Sequence, residues 1–254
     1  KHGNAAAPGK HENKGKRSGA YSWGTYRSHP YVLLNYSGTV HDIFTIAHEL
    51  GHSMHSYYSD KAQPYSKSQY EIFVAEVAST VNEVLLLKYL LESSGSEKEK
   101  RYLLNYYLDM FRTTLFRQTM FAEFEEKAHE LAQKDMPVTC EALNSVYYAL
   151  NKSYYGSNVV SDKPIAWEWA RVPHFYRSFY VYKYATGITS AVSIARGILR
   201  GEKGAVEGYM RFLSAGGSMP PVEILKLAGV DLTGKEPFEA AMSEMADALA
   251  ALKG

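Results

Sequence analysis

Two histidines four residues apart constrain this chain more than any other feature. They are His48 and His52, in the run His48-Glu49-Leu50-Gly51-His52. The pattern has the form H-E-x-x-H. On a helix, residues four apart stand one above the other on one face, so both imidazoles can address one metal ion. Glu49, beside the first histidine, is placed to take a proton from a water at that metal. The preceding residues contain no helix breaker, and Ile43, Phe44, Ile46 and Ala47 supply the apolar side of a buried helix. The bare motif is moderate support on its own. Its competing reading is two histidines satisfied by hydrogen bonds inside a helical core.

A catalytic zinc usually takes three protein ligands and leaves one position open. The metzincin continuation needs a glycine and a histidine where this chain has His55 and Tyr58, so that class is excluded. The remaining route is a glutamate from a following helix. Glu76, in Phe73-Val74-Ala75-Glu76-Val77-Ala78-Ser79-Thr80, is the candidate, because a carboxylate in so apolar a run is costly to bury unless paired or metal-bound. Ala75, Ala78 and Ser79 are small enough to let that helix come close to the motif helix. Glu71 and Glu83 are its rivals. Glu83 lies seven residues on, on about the same face, and can instead orient a ligand. His41 and His55 share the stripe of His48 and His52. Four ligands from one helix do not suit tetrahedral zinc, so these two read as polar residues near the cleft or partners of the ligands.

The rest of the chain fits a single mainly α domain. At 254 residues, 46% hydrophobic and 22% charged, it can bury a sizeable core. A net charge of +1 gives no reason to expect nucleic acid or an anionic membrane as partner. The 21 tyrosines suit a wet cleft that holds peptide. The single cysteine, Cys140, excludes an internal disulfide and, with no apolar run of spanning length, points to the cytoplasm. Residues 1–11 read as a linker or an appended segment, and the missing initiator Met suggests a piece of something longer.

Periodicity predicts a motif helix over about 40–59, a second over 68–93, a third over 97–134 with a bend, and a fourth from Thr139 to Tyr154. It further predicts a helix over 174–200 loosened at Gly187, then shorter ones over 203–214, 220–227 and 236–252. A small β element is expected near residues 19–36. Its best strand is Pro30–Tyr36, an edge that can pair with an extended peptide or serve only as plain hairpin structure.

Beyond these patterns, the sequence resembles oligoendopeptidase F, the bacterial branch of the thimet-oligopeptidase-like (M3) zinc peptidases. The resemblance is carried by Pro30–Tyr36, Phe44–His55, Phe73–Thr80, Asn82-Glu83, Trp169–Tyr176 and Phe179–Gly187, and it covers about residue 12 to the end. It implies a multi-helix zincin-type fold, one Zn2+ per chain held by His48, His52 and Glu76, and Glu49 as general base. It implies cleavage of internal bonds in short peptides inside a channel between two helical halves, of which the N-terminal half is not in this chain. It also implies that a histidine and one or two tyrosines of residues 173–184 contact substrate and stabilise the transition state; His174 and Tyr184 are favoured, then Tyr180. The competing readings are a zinc-containing peptide-binding fragment, inactive without the missing half, and a metal-free helical interaction protein.

Overall fold

A computed structural model describes residues 13–16 and 19–254; the expected linker at 1–11 lies outside the described residues. The fold is mainly α, as expected. Strands β1 (Tyr21–Trp23) and β2 (Tyr31–Leu33) are followed by ten α-helices among the described residues. These are α1 (Val40–Ala62), α2 (Tyr65–Ser68), α3 (Ile72–Ser93), α4 (Glu97–Met110), α5 (Arg117–Gln133), α6 (Cys140–Tyr155), α7 (Tyr182–Leu199), α8 (Ala205–Leu213), α9 (Pro221–Leu227) and α10 (Glu236–Lys253). The strands pair antiparallel, with Ser22 opposite Val32. The chain divides into two compact units, one of residues up to 107 together with 187–254, the other of residues 108–186.

In the first unit α1 begins at a capping box. Thr39 Oγ1 accepts the Asp42 N–H, and Asp42 Oδ2 accepts the Thr39 N–H at 2.8 Å and the Ser37 hydroxyl at 2.9 Å. α3 is apolar around most of its circumference, which is the pattern of a helix covered on several sides. Val74, Val77, Ala78 and Val81 meet Ala191 and Ile194 of α7, Phe212 and Leu213 of α8, and Ile224 and Leu225 of α9. Its other side lies against α1, and at Gly51 the two helices all but touch. A Cβ added there would stand 2.5 Å from Ser79 Cα and 2.7 Å from the Ala78 carbonyl oxygen. Asn82 Nδ2 donates across the same seam to the Ala47 carbonyl at 3.2 Å.

In the second unit α5 and α6 enclose Met120, Phe121, Phe124, Tyr147 and Leu150, with Val181 inserted from the segment just before α7. A π-helical turn at Phe111–Phe116 joins α4 to α5, so the expected bent helix over 97–134 is continuous but widened by one turn. The expectation of a helix over 174–200 is corrected. Residues 163–171 and 173–176 form 3₁₀ turns, 177–181 are irregular, and helix starts only at Tyr182. The break is at Phe179, whose φ of 55° lies in the left-handed region that an aromatic residue rarely adopts. Gly187, expected to loosen the helix, lies within an unbroken α7.

Two outcomes follow. Gly51→Ala should lower stability by about 1–3 kcal/mol, as overpacking of a close helix contact does, read as a shift of the urea midpoint. Asp42 is held down to about 2 from 3.8, chiefly by the Thr39 main-chain N–H. Its folded-state pKa is depressed, so its contribution is complete above about pH 4 and disappears as pH falls towards 2. The stability difference between the wild-type chain and Asp42→Asn should therefore shrink over that window, measured by denaturant titration at each pH.

Candidate metal centre and aromatic cluster

The close approach at Gly51 brings Glu76 of α3 opposite the histidines of α1. The Nε2 atoms of His48 and His52 are 3.1 Å apart; Glu76 Oε2 is 3.4 Å from the first and 3.8 Å from the second. Among the described residues these three form a group able to hold a metal ion, with all donor atoms within 4.8 Å of one another. Donors about 2 Å from a common tetrahedral ion are about 3.3 Å from each other, so the spacing fits zinc. The donor set, two imidazoles and a carboxylate, fits it too. Of the two rivals, Glu71 stands just before α3 as its N-cap, whereas Glu83 Oε1 accepts a 2.6 Å hydrogen bond from His48 Nδ1. That bond leaves Nε2 as the nitrogen turned towards Glu76.

The electrostatics of the group favour a cation. Burial pulls His48 down, but hydrogen bonds and attraction from Glu76 and Glu83 outweigh it and push it up to about 10. His52 is pulled down to about 4, chiefly by burial. Burial works to raise Glu76, yet the two histidines hold it below the usual carboxylate range. Glu49 is buried, and burial pushes its carboxyl up. Its Oε2 has no hydrogen-bond partner among the described residues, while the Ser22 main chain of β1 hydrogen-bonds the carboxyl. The Ser22 hydroxyl lies 2.9 Å from that of Ser53 on α1, which seats the small sheet against the motif helix.

His48, Glu49, His52 and Glu76 line a cleft of about 410 Å³. One wall is Ala20–Gly24 of the sheet, a second is α1, and a third is Ser68–Tyr70 with Ala75 and Glu76. Of the two strands it is β1 that lines the cleft; of the Pro30–Tyr36 segment only residues 31–33 form a strand, paired with β1 as a hairpin. His55 is corrected as well. It is wholly buried, stacked on Tyr70 at 3.6 Å between ring centres, and neither ring nitrogen has a hydrogen-bond partner among the described residues. Burial pulls it down to about 3, so it is a neutral core ring.

His174, Tyr180 and Tyr184 lie in the second unit and form a cluster of their own. His174 Nε2 is 3.3 Å from Tyr184 Oη, and its ring lies 5.0 Å from that of Tyr180. Their segment is held by two buried carboxylates that residue pattern did not single out. Glu168 binds Arg117, Arg171 at 2.9 Å and the Tyr147 hydroxyl at 2.6 Å. Glu125 Oε1 accepts the Phe179 N–H at 2.6 Å, right at the left-handed residue. The signal for Glu125 was present: it follows Phe121 by four residues on the core stripe of α5, where a carboxylate needs a partner. Removing it with Glu125→Ala should cost about 1.5–3 kcal/mol, the range for hydrogen bonds to charged groups, and should raise the exchange rate of the Phe179 amide in hydrogen-exchange measurements.

No helix among the described residues is long and apolar enough to cross a membrane. The model of Peptidase family M3 matches residues 9–244. Oligopeptidase PepF of Bacillus subtilis (strain 168) is 54% identical over 231 residues, covering 91% of this chain and 34% of that protein. The chromosomal oligoendopeptidase F of Lactococcus lactis subsp. cremoris is 46% identical over 230 residues, covering 91% and 38%. The crystal structure of oligoendopeptidase-F from Enterococcus faecium matches with a TM-score of 0.76 at 44% identity, over 84% of this chain and 39% of that one. The chain thus spans little more than a third of the length of these relatives.

Proposed function

The chain belongs to peptidase family M3, and from that premise we propose that it hydrolyses internal bonds of short oligopeptides at one zinc ion held by His48, His52 and Glu76. The observation that carries the reading is the convergence of those three donors beside a buried carboxylate with an unpartnered oxygen. Zinc bound there would supply Lewis acidity, making water more acidic and the scissile carbonyl more electrophilic.

The chain's own residues supply the rest. Glu83 holds the His48 ring in the tautomer that presents Nε2. Glu49 accepts a proton from the attacking water and returns it to the amine nitrogen as the C–N bond breaks. Burial suits it to both steps, because a raised carboxyl is a better base and a usable acid nearer neutral pH. His174 and Tyr184, then Tyr180, are proposed as donors to the substrate and to its developing oxyanion; their mutual contacts support a common role. Residues 12–254 are proposed as the catalytic region, acting on short peptides with or without a further helical half, and in the cytoplasm, to which the single cysteine is suited.

The test is metal content together with cleavage of an internally quenched peptide. About one zinc per chain is expected, cleavage stopped by chelation, and a loss of about 10²–10⁴-fold in kcat for Glu49→Gln with zinc retained. Zinc and peptide binding without turnover would favour the binding-fragment reading. Zinc at background, unchanged by replacing both motif histidines, would overturn the metal site.

A further inference from the structure

The face of α1 that carries His52 does not end at the metal centre. Steps of four residues lead from His52 to Ser56 and on to Asp60, and all three line the cleft. Ser56 Oγ is 2.9 Å from Tyr70 Oη, so the middle step is closed by a hydrogen bond between two walls. Asp60 is half-buried and has no ion pair or hydrogen bond among the described residues. Its neighbour Lys61 is turned to the ring of Tyr57. Among the described residues no lysine or arginine lines the cleft, whose carboxylates are Glu49, Glu76 and Asp60. Glu76 faces the histidines, and a divalent ion there would offset it and Glu49. Asp60 is then the uncompensated charge, two helical turns or about 12 Å along the axis from His52. An extended peptide advances about 3.3 Å per residue, so that distance corresponds to two to four residues once side-chain reach is allowed for.

We infer that Asp60 is a specificity-determining residue that draws a cationic group of the peptide, an ammonium or guanidinium, to a fixed position a few residues from the bond that is cut. This rests on the peptidase reading of the same cleft. The cation has two possible sources, a Lys or Arg side chain and the free α-amino terminus. The exposed indole of Trp23, which also lines the cleft, offers an aromatic face suited to either.

The test is a set of quenched peptides in which one Arg or one Glu is moved through each position on both sides of the cleaved bond, each made with a free and with an acetylated amino terminus. For one position kcat/KM should be about two- to fivefold higher with Arg than with Ala, the range of a partly exposed ion pair, and the preference should fade as salt is raised. A response to acetylation instead of to Arg would identify the terminus as the source. Asp60→Asn should abolish the ratio, and Asp60→Lys should invert it in favour of Glu at the same position; thermal melts of both variants check folding. The same peptides, labelled at one end, are run in parallel by fluorescence anisotropy against the chain. If nothing is cleaved, the peptidase reading fails, yet the binding ratio still tests Asp60. Indifference to charge at every position and at the terminus, or a preference that Asp60→Asn leaves intact, would overturn the inference.

Discussion

The contact on which the candidate metal centre depends is between main chains. α1 and α3 meet at Gly51 with no room for a side-chain carbon, against Ala78 and Ser79. Only at that separation does a side chain as short as glutamate reach from α3 to the imidazoles of α1. Ala75 and Ala78 keep the neighbouring surface flat, and Asn82 ties the seam a turn further along by its bond to Ala47. The remainder of α3 is pressed from behind by α7, α8 and α9, so the site rests on a helix that cannot retreat. Helices make more exact supports for such a site than loops do.

That seam also concentrates charge of one sign. Three carboxylates, Glu49, Glu76 and Glu83, stand around two imidazoles in partly or wholly buried positions. Burying like charges together is unfavourable without a counter-charge. The fold meets this in part by pushing His48 and Glu49 up from their ordinary pKa values. A metal ion would do the same more completely, and would displace the proton. The electrostatic cost of the group and the pull it would exert on a cation therefore have one origin.

Much of the fold was legible in residue order. The motif helix, the long helix carrying Glu76, the start at Thr139 and the helical character of the C-terminal third follow from period and capping, because local propensity and tertiary burial agree there. Glu76 stood out for a different reason: a carboxylate in an apolar run must find a partner or a metal to be buried at all. What escaped is what only three dimensions decide. His55 sits on the same stripe, within about 20° of His48, but two turns further along α1, where Tyr70 and Phe212 pack against its ring. The segment 174–181 has helical composition, yet Glu125 offers the Phe179 amide a stronger acceptor than a helical carbonyl would, and the helix yields. β1 is three residues long, too short for alternation to mark it, so its place on the cleft could not be read.

The two-part make-up of the first unit bears on how the chain reaches this state. α1 and α3 are made before the second unit, but the residues that back α3, from Ala191 to Val230, are made only after the whole of it. Until then Val74, Val77 and Val81 have no permanent cover. Contacts so far apart in sequence close slowly, because the intervening loop must be ordered first. A nascent chain would therefore hold an assembled pair of helices with one apolar flank open, a state prone to mispairing. The second unit, whose core is local in sequence, can complete itself in the interval and shorten the effective loop that the first unit has to close.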